Sequence, residues 1–411
     1  MRILIISSLF PPDALGGAEI SAWNLACWLR DHGHEVGVLT TTAGSESATT
    51  GVIEDGLRVW RVRMPRPYPM AHYGNQPAAA KLVWHLLDHL DPANIDIVRD
   101  VLREFKPDFA SVHLLAGLGW NSLAELARHD VPVLFALPDL ALACVRSGMF
   151  RGDHTCQRQC TECRLSSWWK QRQIGKLRRL GFYSPSRANL QSVESLVPLR
   201  KRPRRVIFNP NRYPVPVRPY RAGSLPRFLY AGRLHRTKGV DVLLDAADIV
   251  AGRGLAFTLA IAGDGPDGEM LRERYGNRPW LTFHGHVSQQ RVSDLMAEHD
   301  LLCLPSVWAE NSPGVAIQAL SQGMPVLASN VGGVPELVDP GITGALLPAG
   351  DTDTWAETLA ALILQPHHIR RWREAASVRS DRFDPEQLGA RLFELIEEIS
   401  AQGPLLRPDR L

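Results

Sequence analysis

The sequence predicts an α/β protein made of two doubly wound domains facing each other across a cleft, and three observations predict it. The chain has 411 residues, beyond the length at which one hydrophobic core stops growing, so two domains of roughly 200 residues each are expected. Short apolar, β-branched runs alternate with helical patterns in both halves, the rhythm of βαβ units around a buried parallel sheet. Between the halves, six prolines from Pro203 to Pro226 mark a linker and hinge.

In the first half the runs at 3–6 (I-L-I-I), 36–39, 108–113 and 131–137 read as buried strands, separated by helical patterns at 18–32 and 119–129. In the second half the runs at 227–231, 257–262, 281–283, 300–304, 325–328 and 345–347 repeat the pattern. The expected organisation is a first domain over 1–205 carrying a Cys-rich basic insert at about 140–182, a linker at 206–226 and a second domain over 227–385. A C-terminal helix and tail at 386–411 are expected to cross back to the first domain.

Composition places the chain among globular proteins, with 45% hydrophobic and 22% charged residues. The apolar opening, M-R-I-L-I-I, ends at Pro11, Pro12 and Asp13 with no small-residue cleavage site, so it reads as a first strand rather than a signal peptide. No stretch reaches the roughly 18 apolar residues needed to span a bilayer, so the expected location is the cytoplasm, with peripheral contact on the inner face of the plasma membrane. Net charge is only +3, but between Arg146 and Arg205 fifteen Lys and Arg residues face only Asp153, Glu162 and Glu194. Such asymmetry points to lipid headgroups or phosphates, since no nucleic-acid motif accompanies it; a solvated basic face is the plainer reading.

Candidate site residues cluster after strand ends. Gly16 and Gly17 lie on the loop entering the first helix, where the backbone can approach an anion, although a tight turn explains them equally. In F-L-Y-A-G-R-L-H-R-T-K-G (228–239), Arg233 and Lys238 stand just past a strand with no carboxylate in the loop, a pairing suited to a diphosphate. Gly263 and Gly265 form a second strand-to-loop turn, and His284 and Val287 lie where a strand end can meet a nucleobase. Glu310 precedes a turn at Ser312, Pro313 and Gly314 that opens a helix, so N–H groups as far as Val315 can cap a phosphate, with Gln318 on nearly the same face.

This block, 228–339, resembles the donor domain of glycosyltransferase family 4, in its G-R-x4-K-G, G-x-G and G-G-x-x-E elements and in a variant of E-x7-E. The first half is similar more loosely, through its glycine loop and V-H-L-L-A-G-L-G (112–119). The resemblance implies the GT-B fold and a retaining transferase requiring no catalytic metal, whose first domain holds the acceptor. It further implies that Arg233 and Lys238 grip the donor diphosphate, Glu310 contacts the donor sugar, His113 is the active-site histidine and Glu336 is structural. Two departures stand out: Gln318 replaces the second Glu of E-x7-E, the residue expected at the ribose, and Pro138-Asp139 stands where bacterial cell-surface polysaccharide transferases often read H-D.

Cys144, Cys156, Cys160 and Cys163 fall within twenty residues, a spacing that suits a structural zinc or iron–sulfur site, with separately packed thiols as the alternative. After them, S-S-W-W-K-Q-R-Q-I-G-K-L-R-R-L (166–180) suits a helix lying in lipid headgroups through Trp168, Trp169, Leu177 and Leu180, unless the tryptophans pack inward. The expected partners are a nucleoside-diphosphate sugar, a lipid-linked or polysaccharide acceptor of the cell envelope and a membrane surface, without nucleic acid. The rival readings are a GT-B epimerase or phosphorylase, and a non-catalytic nucleotide-sugar-binding partner of an active transferase.

Overall fold

The computed structural model describes every residue except 14–15, 45–49, 71, 73–75, 152–153, 200 and 403–411, so the tail expected after the last helix lies outside the described residues. The chain divides into two compact units, one of Met1–Asn211 with Pro385–Leu411, the other of Arg212–Asp384. No described helix is long and apolar enough to cross a membrane.

The first unit begins with β1 (Arg2–Ile6), α1 (Gly17–Asp31), β2 (Glu35–Thr41), β3 (Val52–Glu54) and β4 (Leu57–Val62). Then follow α2 (Ala78–Leu90), α3 (Ala93–Phe105), β5 (Phe109–Val112), α4 (Ser122–Arg128) and β6 (Val133–Ala136). Next come β7 (Phe150–Arg151), β8 (His154–Thr155), α5 (Thr161–Ile174), β9 (Leu180–Ser184), α6 (Arg187–Leu196) and β10 (Arg204–Val206). Its main sheet has the order β10-β9-β6-β5-β1-β2-β4-β3, parallel except where β3 meets β4. Neighbouring residues of β1 serve opposite faces: Leu4 and Ile6 join one core, Ile3 and Ile5 the other.

The second unit runs β11 (Arg227–Ala231), α7 (Val240–Gly252), β12 (Thr258–Ala262), α8 (Gly268–Tyr275), β13 (Leu281–Gly285) and α9 (Gln289–Glu298). It continues with β14 (Leu301–Leu304), α10 (Gly314–Ser321), β15 (Val326–Ser329), β16 (Gly344–Leu347), α11 (Thr352–Leu364) and α12 (His367–Val378). The sheet is wholly parallel, in the order β13-β12-β11-β14-β15-β16. Chain direction across the sheet reverses between β11 and β14 here, and between β1 and β5 in the first unit. Loops leaving the carboxyl ends of those strands diverge and leave a crevice. The last helix, α13 (Pro385–Ala401), buries Leu388, Leu392, Ile396 and Ile399 in the first unit, and Trp28 Nε1 donates to Glu386 Oε2 at 3.0 Å.

The structure corrects three boundaries. Strand β4 went unread because its alternation, L-R-V-W-R-V, puts arginines between apolar residues, and Arg58 and Arg61 pair with Glu104 and Glu54. The expected linker at 206–226 is not free chain: β10 ends within its first residue, and from Arg212 it belongs to the second unit. There Val217 N donates to Asp294 Oδ1 at 2.8 Å and Tyr220 O–H to Asp300 Oδ1 at 2.7 Å. Finally, the segment 166–180 is not one membrane-facing helix, because α5 stops at Ile174 and both Leu177 and Leu180 are buried in the core.

Candidate functional site

In the second unit, strands β12, β11 and β14 lie side by side, and their exits carry Gly263, Lys238 and Glu310. A Cβ on Gly263 would stand 1.8 Å from the carbonyl oxygen of Gly232, so only glycine lets the two strand exits close up. Past β11, a single 3-10 turn at Arg236–Lys238 is capped by His235, whose ring Nδ1 lies 2.8 Å from Thr237 Oγ1. This turn aims Lys238 across the switch point, where its Nζ donates to Glu310 Oε1 at 2.5 Å. The same carboxylate oxygen accepts from Ser306 Oγ at 2.7 Å, and Glu310 is buried. A cation and an anion separated by 72 positions thus stand together where a parallel sheet leaves its ligand crevice.

Around this pair, Arg233 is exposed and its backbone oxygen accepts from Tyr230 O–H at 2.8 Å. Ser312, Pro313, Gly314 and Val315 are half-buried at the start of α10, whose first N–H groups lack helical acceptors. Gly265 is half-buried after β12, and His284 and Val287 are half-buried at and beyond the end of β13, with burial lowering the His284 pKa. The loop at 332–333 closes on the site: Gly333 N donates to the Glu310 carbonyl at 2.7 Å, while Glu336 lies in a following 3-10 turn.

Gln318 is 2% exposed, and its Nε2 donates to Ser293 Oγ of α9 at 2.9 Å, so the nitrogen of its amide ties two helices together. Ser306 was missed by sequence reasoning although it lies in the same strand-to-helix stretch; its only signal there was its position four residues before Glu310.

In the first unit, the N–H of Gly16 is not free for an anion, because it donates to Glu19 Oε2 at 3.0 Å, while Gly17 opens α1 and both glycines are exposed. A carboxylate at that helix start takes the place a phosphate would want. His113, at the end of β5, is 3% exposed, and its Nε2 lies 3.2 Å from Ser111 Oγ. Burial brings its pKa down to about 4, so the ring is neutral near pH 7. His113 lines a cavity open to solvent, together with Trp120, Phe135, Asp139 and Lys170.

The four thiols expected as a metal site lie close together, with Cys156 packing against Cys144 and Cys163. Cys144 and Cys163 are buried with their sulfurs 3.7 Å apart, Cys156 is half-buried and Cys160 is exposed as the N-cap of α5. Among the described residues no group of three or more His, Cys, Asp or Glu is placed to hold a metal ion. Cys160 is exposed where the helix starts and hydrogen-bonds the Cys163 thiol, and burial of Cys163 pushes its pKa up to about 12.

Two family models match the chain: "Glycosyl transferase 4-like domain" over residues 16–181 and "Glycosyl transferases group 1" over 225–365. Alpha-D-kanosaminyltransferase of Streptomyces kanamyceticus is 30% identical over 184 residues, 44% of this chain and 47% of that protein. Phosphatidyl-myo-inositol mannosyltransferase of Mycobacterium leprae is 27% identical over 176 residues, 43% of this chain and 47% of its own. The matched stretches therefore span less than half of either relative. Among solved structures, sucrose-phosphate synthase from Thermosynechococcus elongatus superposes with a TM-score of 0.73 at 19% identity, covering 97% of this chain and 99% of that one. The Anabaena protein HepE, solved with UDP and glucose, gives 0.67 at 18%, covering 97% and 99%. At such identities the likeness shows the two-domain GT-B fold.

Proposed function

Because the chain belongs to the glycosyl transferases, a group 1 domain following a 4-like domain, we propose that it moves a sugar from a nucleoside-diphosphate donor bound by the second unit to an acceptor bound by the first, with retention of configuration. The observation that carries this reading is the Lys238–Glu310 contact at the switch point of the second sheet. A diphosphate arriving there draws Lys238 away from the carboxylate, which frees Glu310 to accept hydrogen bonds from sugar hydroxyls. Lys238, Arg233 and the N-terminus of α10 then take up the charge that grows on the diphosphate as the bond from the anomeric carbon to its oxygen breaks. The acceptor oxygen forms the new bond on the same face of the sugar and gives its proton to the departing phosphate oxygen. Only the chain's own cations are needed at the diphosphate.

Two further parts of the proposal concern the acceptor and location. Exposed Leu165 (67%) and Trp168 (55%) on α5 stand among the exposed cations Arg164 and Arg172. Helix α2, tied to α5 where His89 Nε2 lies 2.8 Å from Ser166 Oγ, exposes Val83, Leu86 and Leu90. Apolar side chains beside cations suit an anionic bilayer surface, and with it a lipid-linked acceptor on the inner face of the plasma membrane.

A thermal-shift panel of UDP, GDP, ADP and their sugars tests the donor reading, since a ligand of the folded state raises the melting temperature. At least one nucleotide should do so, and Arg233→Ala should lose both that shift and turnover. Unchanged turnover in Arg233→Ala or Lys238→Ala would exclude the diphosphate role. Flotation with anionic vesicles tests the membrane role, which fails if the protein stays at the bottom at low salt.

A further inference from the structure

Helix α5 turns polar side chains inward beside Cys163, Trp169 and Ile174. Ser166, Ser167, Lys170 and Gln173 are each under a tenth exposed, while Leu165 and Trp168 face solvent. Burying polar groups is costly unless partners satisfy them, and most of this face has them: Ser166 Oγ meets His89 Nε2 at 2.8 Å, Ser167 Oγ accepts from Gln171 Nε2 at 3.1 Å and Gln173 Oε1 from Lys176 Nζ at 2.6 Å. Lys170 is the extreme member: 3% exposed, lining the cavity beside His113, with its Nζ 5.0 Å from the centre of the Trp120 ring. That Nζ donates to the carbonyl of Ala141 at 2.6 Å, whereas an ammonium carries three donors. The N–H of the same Ala141 donates to Asp139 Oδ1 at 2.7 Å, so one residue's peptide groups fix a cation and a carboxylate together at the cavity wall.

The electrostatic balance identifies what fits. The charges of Lys170 and Asp139 offset each other, and Asp88 is engaged by Arg66 at 3.5 Å and by the N–H of Gly117 at 2.9 Å. His85, His89 and His113 are kept neutral near pH 7 by burial, each with its pKa brought down to about 4. A phosphate here would meet the Asp139 carboxylate as well as the ammonium. A neutral ring with adjacent hydroxyls meets a donor and an acceptor in the cavity that Trp120 and Phe135 also line.

We propose that Lys170 and Asp139 form the acceptor subsite of the first unit and select a neutral hydroxylated ring, a sugar or cyclitol, with Lys170 donating to one hydroxyl oxygen and Asp139 accepting from the neighbouring hydroxyl. The term acceptor rests on the transferase reading above; the ring-binding site itself does not. Both residues bind and orient, and neither touches the donor. Departure from H-D to Pro138-Asp139 and the Cys-bearing helix thus acquire a joint role, because the helix delivers Lys170 to the Ala141 carbonyl, two residues past the aspartate that the motif retains.

The test uses the full-length protein saturated with UDP and ligand-observed saturation-transfer NMR. The probes are methyl α-D-glucopyranoside, methyl α-D-mannopyranoside and myo-inositol against inorganic phosphate and myo-inositol 1-phosphate. At least one neutral ring should bind the wild type, and Lys170→Met and Asp139→Asn should each weaken it at least tenfold while leaving UDP affinity unchanged. Binding of phosphate in preference to the rings, equal ring binding by the variants, or no ring binding would overturn the subsite. If either variant fails to fold, wild-type protein labelled with 5-fluorotryptophan decides, because the Trp120 resonance, assigned with Trp120→Phe, should move with a neutral ring and stay fixed with phosphate. Should the wild type bind no nucleotide, the transferase reading fails by itself, since ring binding is read separately.

Discussion

Replacing Lys238 by alanine removes the cation from a carboxylate that is 8% exposed on its side chain, and so perturbs stability and ligand binding together. Stranding one member of a buried ion pair typically costs roughly 3–5 kcal/mol, because the remaining charge stays desolvated without its partner. Lys238 keeps 26% of its side-chain surface in water, so solvent reaches the vacated space, and Ser306 still donates to Glu310. The expected loss is therefore smaller, about 2 kcal/mol. For a unit of this size that corresponds to a fall in melting temperature of about 4–8 °C. Calorimetric melting of wild type, Lys238→Ala and Lys238→Ala/Glu310→Gln measures it, with UDP titrated into each. The single variant should melt early, and the double variant should recover most of the loss because its amide carries no charge. Neither should show the nucleotide-dependent rise in melting temperature seen in the wild type. A single variant that melts with the wild type, or a double variant no better than the single, refutes the idea that Lys238 holds Glu310 in the free protein.

Gln318→Glu places a carboxylate against Ser293 Oγ, whose proton is committed to the Pro214 carbonyl at 2.6 Å; stability should fall by about 2 kcal/mol at pH 7.5 and by less at pH 5, as urea midpoints will show. Gly263→Ala sets a methyl group 1.8 Å from Gly232 O at a φ of +143°, and should cost about 3 kcal/mol or more in the same assay, with loss of nucleotide binding. Asp139→Asn should stabilise the fold at pH 7.5 and lose that advantage toward pH 4. Burial raises the folded Asp139 pKa from 3.8 to about 6, so the folded state takes up the proton first and the charged form penalises folding only as pH rises through that window. Trp168→Ser should change melting by less than ~0.5 kcal/mol, since the ring is largely exposed, yet reduce flotation with anionic vesicles.

Most strands at the sheet centres were legible because buried parallel strands are written as continuous apolar runs, and 227–231 in the sequence is β11 to the residue. The edge strands β3 and β10 were not, since each is three residues long and has one side unpaired, so hydrophobicity marks neither. Segment 166–180 misled for a related reason. Its tryptophans and cations carry a helix-like composition whichever face turns inward, and Leu177 and Leu180 belong to the turn and strand after the helix. In the candidate site, Lys238 and Glu310 were identifiable from their places after strand ends, but their contact was not, because 72 residues separate them.

The sequence alone determined the two α/β units, their family and the strand exits at which ligand-binding residues gather, because period, glycine placement and motif order are local properties of the chain. Only the tertiary structure decided what each side chain does there. It committed Gln318 to Ser293 and Gly16 to Glu19, set the Cys160 thiol against that of Cys163, and brought Lys170 inward to the Ala141 carbonyl. Burial and hydrogen-bond partners come from elements distant in sequence, and they set whether a polar group is free to meet a ligand.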